Sequence, residues 1–160
     1  MNPEDFRELI IVKTLKHLDL YSKSAENLLF GTAAHESLRF TYLKQVKGPA
    51  LGFYQCEPDT HHDIWRHYIG YRSKLAVKVR SLAGYRWAHQ FIPDSELIGN
   101  LYYATAICRI HYLRVPEKLP EPDNIEGLAQ YWKQHYNTRL GAGTVEQFIK
   151  AYELANNQEG

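Results

Sequence analysis

Residues 95–114 follow Pro93-Asp94 and carry Leu97, Ile98, Leu101, Tyr102, Ala104, Ile107, Cys108, Ile110 and Leu113. On a helix these side chains leave almost no polar face. Such a helix has no side to give to water, so it must run through the centre of the molecule with others wrapped round it. The wrapping helices are legible as apolar stripes at 3–4 spacing. Residues 5–19 carry Phe6, Leu9, Ile10, Leu15 and Leu18; residues 22–37 carry Ala25, Leu28, Leu29, Thr32 and Ala33; residues 60–69 carry Ile64, Trp65, Tyr68 and Ile69. Asp59 or Thr60 suits the cap of the third of these. A basic helix is expected over residues 71–83. Pro116, Pro120 and Pro122 force an extended connection. Asp123 with Glu126 then reads as a capping box for a helix bearing Ile125, Leu128, Trp132 and Tyr136, and Thr144 with Gln147 as the box of a last helix.

Only residues 38–58 break this pattern. They hold Lys47-Gly48-Pro49, Gly52 and Pro58, and Thr41-Tyr42-Leu43 with Phe53-Tyr54 would form a small hairpin or a compact loop. The expectation is a mainly α fold of about seven helices in one domain over residues 1–160.

Charge and composition narrow the function classes. Nineteen basic against eighteen acidic residues give a net charge of +1, too little field to collect nucleic acid. The basic stretch from Tyr71 and Arg72 to Arg86 reads as a solvated helix face. No apolar run reaches the roughly 18 residues of a membrane span. The two cysteines, Cys56 and Cys108, read as buried thiols rather than a disulfide framework. His35, Glu36, His61, His62 and Asp63 are ligand-type residues, but their spacing matches no metal motif, and adjacent His61 and His62 diverge on a helix. No metal and no cofactor are expected. Aromatic residues make up 13% of the chain, with twelve Tyr and three Trp, which suits either a groove that stacks on sugar rings or ordinary helix packing.

One carboxylate is out of place. Projected at about 100° per residue, Glu36 falls within roughly 20° of Ala25, on the face that Leu29, Thr32 and Ala33 turn to the core. A carboxyl set into an apolar face is costly unless paired, protonated or at the edge of a cleft, and it is the kind that general acid catalysis uses. Downstream, Gly52 stands three residues before Gln55. The glycine permits close backbone approach, and the amide supplies a donor and an acceptor, the pair that an acetamido group on a sugar requires.

Together these elements resemble the lysozyme-like lytic transglycosylase family, the group of soluble lytic transglycosylases and goose-type lysozymes. Ala33-Ala34-His35-Glu36-Ser37 is similar to the family's Glu-Ser at a helix end. Gly52-Phe53-Tyr54-Gln55, trailed by Pro58 and Thr60, is similar to its Gly-Leu-Met-Gln element. His135-Tyr136-Asn137-Thr138 with Gly141 and Gly143 is similar to its Ala-Tyr-Asn-Ala-Gly. The elements stand in the family's order over residues 25–152. Leu38 replaces the glycine usual after Glu-Ser, Glu57 replaces an apolar residue, and the Tyr-Asn element lacks its immediate Ala-Gly. Residues 47–65 also look like lysozyme-like virion or lysis proteins encoded by phages and prophages.

The resemblance implies a lysozyme-like fold and cleavage of the β-1,4 bond between N-acetylmuramic acid and N-acetylglucosamine. Glu36 would be the general acid and then base, and Tyr136 would bond near it and orient it. Ser37, Gly52, Phe53, Tyr54, Gln55, Tyr136 and Asn137 would bind substrate, with Tyr102 or Tyr103 as further subsite candidates. Glu57 and Asp59 are the candidates for a second carboxylate, which would turn the reaction to hydrolysis; Asp59 doubles as a helix cap. The implied partner is the peptidoglycan glycan strand, with other virion proteins for a virion component. The N-terminus shows no Sec-type signal, so the expected route is synthesis in the cytoplasm and action on the wall after release or within a virion. The rival reading is a non-catalytic lysozyme-like virion or wall-binding protein.

Overall fold

The computed structural model describes residues 1–45, 47–84, 91–138 and 140–157. It is mainly helical, and no helix among these residues is long and apolar enough to cross a membrane. Helix α1 covers residues 3–17, an unbroken run whose middle, Phe6–Val12, is π-helical. Asn2 caps it by accepting from the amides of Glu4 and Asp5. It ends two residues earlier than the apolar stripe, because Asp19 turns left-handed at φ 56°.

Helix α2 (Lys23–Glu36) is capped by Ser22, whose hydroxyl accepts from the amide of Ala25 at 3.0 Å. Helix α3 (Pro58–His67) begins with proline at its first turn, and Glu57 occupies the cap position without a side-chain bond. Neither Asp59 nor Thr60 caps it: Pro58, with its fixed φ and no N–H, starts the helix earlier than either would. Helix α4 is Ser73–Leu82.

The long apolar stretch divides into α5 (Glu96–Gly99) and α6 (Leu101–Leu113), adding one helix to the expected set. Asn100 makes the break. It is extended, its Oδ1 accepts from the amide of Tyr103, and its Nδ2 donates to Leu82 O and Glu96 Oε2. Asparagine competes with the helix for its own backbone, and here it wins. Helix α6 is central as expected. Ala104, Cys108 and Tyr112 enter a cluster with α1, α2 and the C-terminal helices, while Tyr103, Ala106, Ile107 and Ile110 enter a second cluster with α3 and α4.

Helix α7 (Ile125–Trp132) continues into a π-helical turn, Lys133–Asn137. Its cap is Asn124, accepting from Gly127 N at 2.9 Å, one residue beyond the expected Asp123. The capping box of Thr144 and Gln147 on α8 (Val145–Asn156) is as expected. Both cysteines are buried and free, and burial pushes the Cys56 thiol up to about 12, which leaves it inert.

The irregular segment between α2 and α3 is a compact loop. Its bridges pair Lys44 with Leu51 and Leu51 with Cys56, so the hairpin between residues 41–43 and 53–54 does not form. Phe53 and Tyr54 go instead into the main cluster, packing on or near Phe6 and Phe40, because two aromatic rings gain more from the core than from a half-exposed ladder.

Candidate active site

Glu36 is the last residue of α2, and its side chain is 16% exposed. What holds it there is local. Ser37, fully buried, donates its hydroxyl to Ala33 O at 2.6 Å and accepts from the amide of Phe40 at 2.7 Å. The chain then turns through three consecutive left-handed residues, Leu38, Arg39 and Phe40 (φ 48°, 57° and 63°). Leu38, where the resemblance leads one to expect glycine, therefore occupies a conformation that glycine adopts without strain. The turn is closed by the amides of Thr41 and Tyr42, both donating to Ser37 O.

Glu36 lines a cleft of about 400 Å³ with His35, Gln45, Ala50, Gln55, Glu57, Tyr136 and Asn137, closed by the loop Gly141-Ala142-Gly143. A second lobe, about 300 Å³, shares Gln55, Glu57, Tyr136 and Asn137 and extends to Thr60, His111 and Thr138. The shared residues make the two lobes one groove. The three sequence elements, far apart along the chain, thus meet on a single surface.

The polar groups of the groove have fixed polarity. Gln55, held at φ 47°, donates from Nε2 to Gly52 O at 2.8 Å. A carbonyl only accepts, so Gln55 keeps its Oε1 acceptor for the groove. Lys133 donates from Nζ to Asn137 Oδ1 at 2.7 Å and to Gly141 O at 2.8 Å. An ammonium only donates, so Asn137 keeps its NH₂ for the groove. The two amides therefore leave the Oε1 acceptor of Gln55 and the NH₂ donors of Asn137 without a partner in these bonds.

Several sequence expectations change. The Tyr136 hydroxyl donates to Tyr54 O at 2.6 Å and does not reach for Glu36; the tyrosine props the Gln55 loop against α7. The donor to Glu36 is Trp132, whose Nε1–H meets Oε1 at 3.1 Å. His35 packs on the same indole at 4.4 Å between centroids and lies 3.5 Å from Glu36 Oε1. Ser37, Phe53 and Tyr54 do not face the groove. Ser37 ties the helix end, Phe53 is core, and Tyr54, 1% exposed, bonds Thr105 at 3.0 Å. Tyr103 is buried against His61 and Trp65, and Tyr102 lies outside the groove lining. Gly52 serves packing: at φ 74°, a Cβ there would stand 2.0 Å from Leu97 O. Of the two candidate second carboxylates, Glu57 lines the groove and Asp59 does not.

Trp132 was visible in the sequence only as an apolar position at helical spacing. Its polar partner lies 96 residues away, beyond any local pattern. The metal reading also changes in its particulars. Asp63 bonds His67 and Arg114, whereas His61 and His62 both reach Asp94.

No protein-family model, no curated protein and no solved structure matches the chain. The class of protein rests on the fold and the groove themselves: a mainly helical chain with a carboxylate at a helix end facing an amide-lined cleft.

Proposed function

We propose that this protein is a lysozyme-like, peptidoglycan-cleaving enzyme of the lytic transglycosylase kind. The observation that supports it is the meeting of Glu36, Gln55 and Asn137 in one groove. Glu36, protonated, gives its proton to the glycosidic oxygen as the bond from the N-acetylmuramic anomeric carbon breaks. The resulting carboxylate takes the proton of the muramyl 6-hydroxyl as that oxygen closes on the anomeric carbon. A 1,6-anhydro end and a free N-acetylglucosamine hydroxyl result, Glu36 regains its proton, and no water is consumed. The acceptor of Gln55 and the donor of Asn137 suit the N–H and C=O of an acetamido group. Tyr136 binds no sugar in this scheme; it holds the Gln55 loop.

Glu57 on the same groove supports hydrolysis as a second outcome, since a second carboxylate is what positioning a water requires. The deciding experiment is mass analysis of purified peptidoglycan after incubation with wild type and Glu36→Gln. Wild type is expected to release muropeptides, and Glu36→Gln none, with the fold intact by circular dichroism. Intact glycan with wild type, or equal release by the variant, overturns the enzyme reading; wall binding by both without cleavage supports the wall-binding alternative.

A further inference from the structure

Outside the groove lining, three ligand-type atoms converge between α3 and the segment before α5. His61 Nδ1 lies 2.7 Å from Asp94 Oδ1, and His62 Nε2 lies 3.0 Å from the same oxygen. All three donor atoms lie within 4.8 Å of one another. The two histidines are adjacent in sequence, but one offers Nδ1 and the other Nε2, and the different reach of the two atoms brings diverging side chains to one point. We propose that His61, His62 and Asp94 bind a divalent transition-metal ion of the zinc class, which ties α3 to the segment leading into α5.

The chemistry of the set fits that class. Two imidazoles and one carboxylate suit zinc, cobalt or nickel and are poor ligands for calcium or magnesium. With ligand bonds of about 2.1 Å, tetrahedral donors stand roughly 3.4 Å apart, so the edges from Asp94 to His61 and to His62, 2.7 and 3.0 Å, must widen by about 0.7 and 0.4 Å. Asp94 and His62, 30% and 40% exposed at their side chains, can make that movement, and their open side leaves room for water as the remaining ligand.

His61 is the fixed corner. It is fully buried, and its Nε2 stands 2.6 Å from the Tyr103 hydroxyl, which also accepts from Trp65 Nε1 at 2.7 Å. A hydroxyl both donates and accepts, so Tyr103 serves His61 whether the ring proton sits on Nδ1 facing Asp94 or on Nε2 with a metal at Nδ1. This second contact on the ligand's other nitrogen is the usual support of a metal-bound histidine. None of the three residues lines the groove, so the ion has no part in the proposed cleavage.

The test uses the full chain, treated with chelator and dialysed. Cobalt(II) is titrated by its visible absorption and zinc(II) by thermal melting. Wild type is expected to develop the absorption of nitrogen-ligated cobalt at one equivalent and to melt at higher temperature with zinc, reversed by chelator. His62→Ala and Asp94→Asn, both at partly exposed positions, are each expected to weaken binding by at least about tenfold. His67→Ala, on the same helix but bonded to Asp63, is expected to bind as wild type does. Absence of cobalt absorption and of a zinc shift in wild type overturns the proposal. So does undiminished binding by both His62→Ala and Asp94→Asn, or a loss in His67→Ala equal to theirs, which would place the ion on other histidines.

Discussion

The indole N–H of Trp132 donates to Glu36 Oε1 across 3.1 Å, joining the end of one helix to the end of another. The same ring packs on Phe148 at 5.2 Å and on His35 at 4.4 Å, so two further rings hold the donor in place. Trp132→Phe keeps an aromatic ring there and removes the donor. Loss of one hydrogen bond to a carboxyl carries about 1.5–3 kcal/mol, so glycan cleavage is expected to fall roughly 10- to 100-fold. Release rates measured beside a melting curve separate this from simple unfolding.

Leu38 is 63% exposed and sits at φ 48°. Its side chain gives the core little, while its backbone is strained. Leu38→Gly is expected to stabilise the protein by about 1 kcal/mol, the left-handed penalty outweighing the added freedom of glycine in the unfolded chain. Urea denaturation at neutral pH measures it; a destabilised variant would show that the turn is not strained.

Acid should weaken the fold through His111. Burial, with the charge of Arg114 adding to it, pushes this imidazole down to about 4 from 6.5. The folded ring is neutral where the unfolded one takes up a proton, so its contribution is whole above about pH 6.5. It is lost progressively as pH falls toward 4, by up to about 3 kcal/mol. Burial lowers His61 in the same direction. His111 donates to His135 O, a bond that favours the charged ring but is outweighed by burial, and it packs on Tyr136 at 4.7 Å. Between pH 6.5 and 4, His111→Gln is expected to show a shallower fall in unfolding free energy than wild type.

In the proposed cleavage, Glu57 is the groove residue that would position a water. Glu57→Gln is expected to remove any reducing-end product while leaving 1,6-anhydro product, and Asp59→Asn to change neither, since Asp59 lies outside the groove lining. Mass analysis of the released ends reads both. Reducing ends that persist in Glu57→Gln would give the water to another group.

What the sequence disclosed was set by the range of each interaction. The central course of α6 was legible because Leu101, Tyr102, Ala104, Ile107, Ile110 and Leu113 leave almost no polar face. The box of Thr144 and Gln147 was legible because its partners stand three residues apart. Asn100 was hidden among apolar neighbours whose pattern runs straight through it. The cap of α7 fell one residue off because Asp123 and Asn124 are adjacent and both good caps. Glu36, Gln55 and Asn137 could be named from their local elements, but the bonds that set their chemistry come from Trp132, from a carbonyl at Gly52 and from Lys133. Trp132 reads as core in any local window, and the pairing of His62 with Asp94 spans 32 residues.

At position 52, the α-hydrogen of glycine is all that fits between the shelf carrying Gln55 and the carbonyl of Leu97. Saturation of that codon, selected for folding alone and without any sugar in the medium, should return one amino acid. Invariance there would testify to the seam between two halves of the molecule and would say nothing about catalysis.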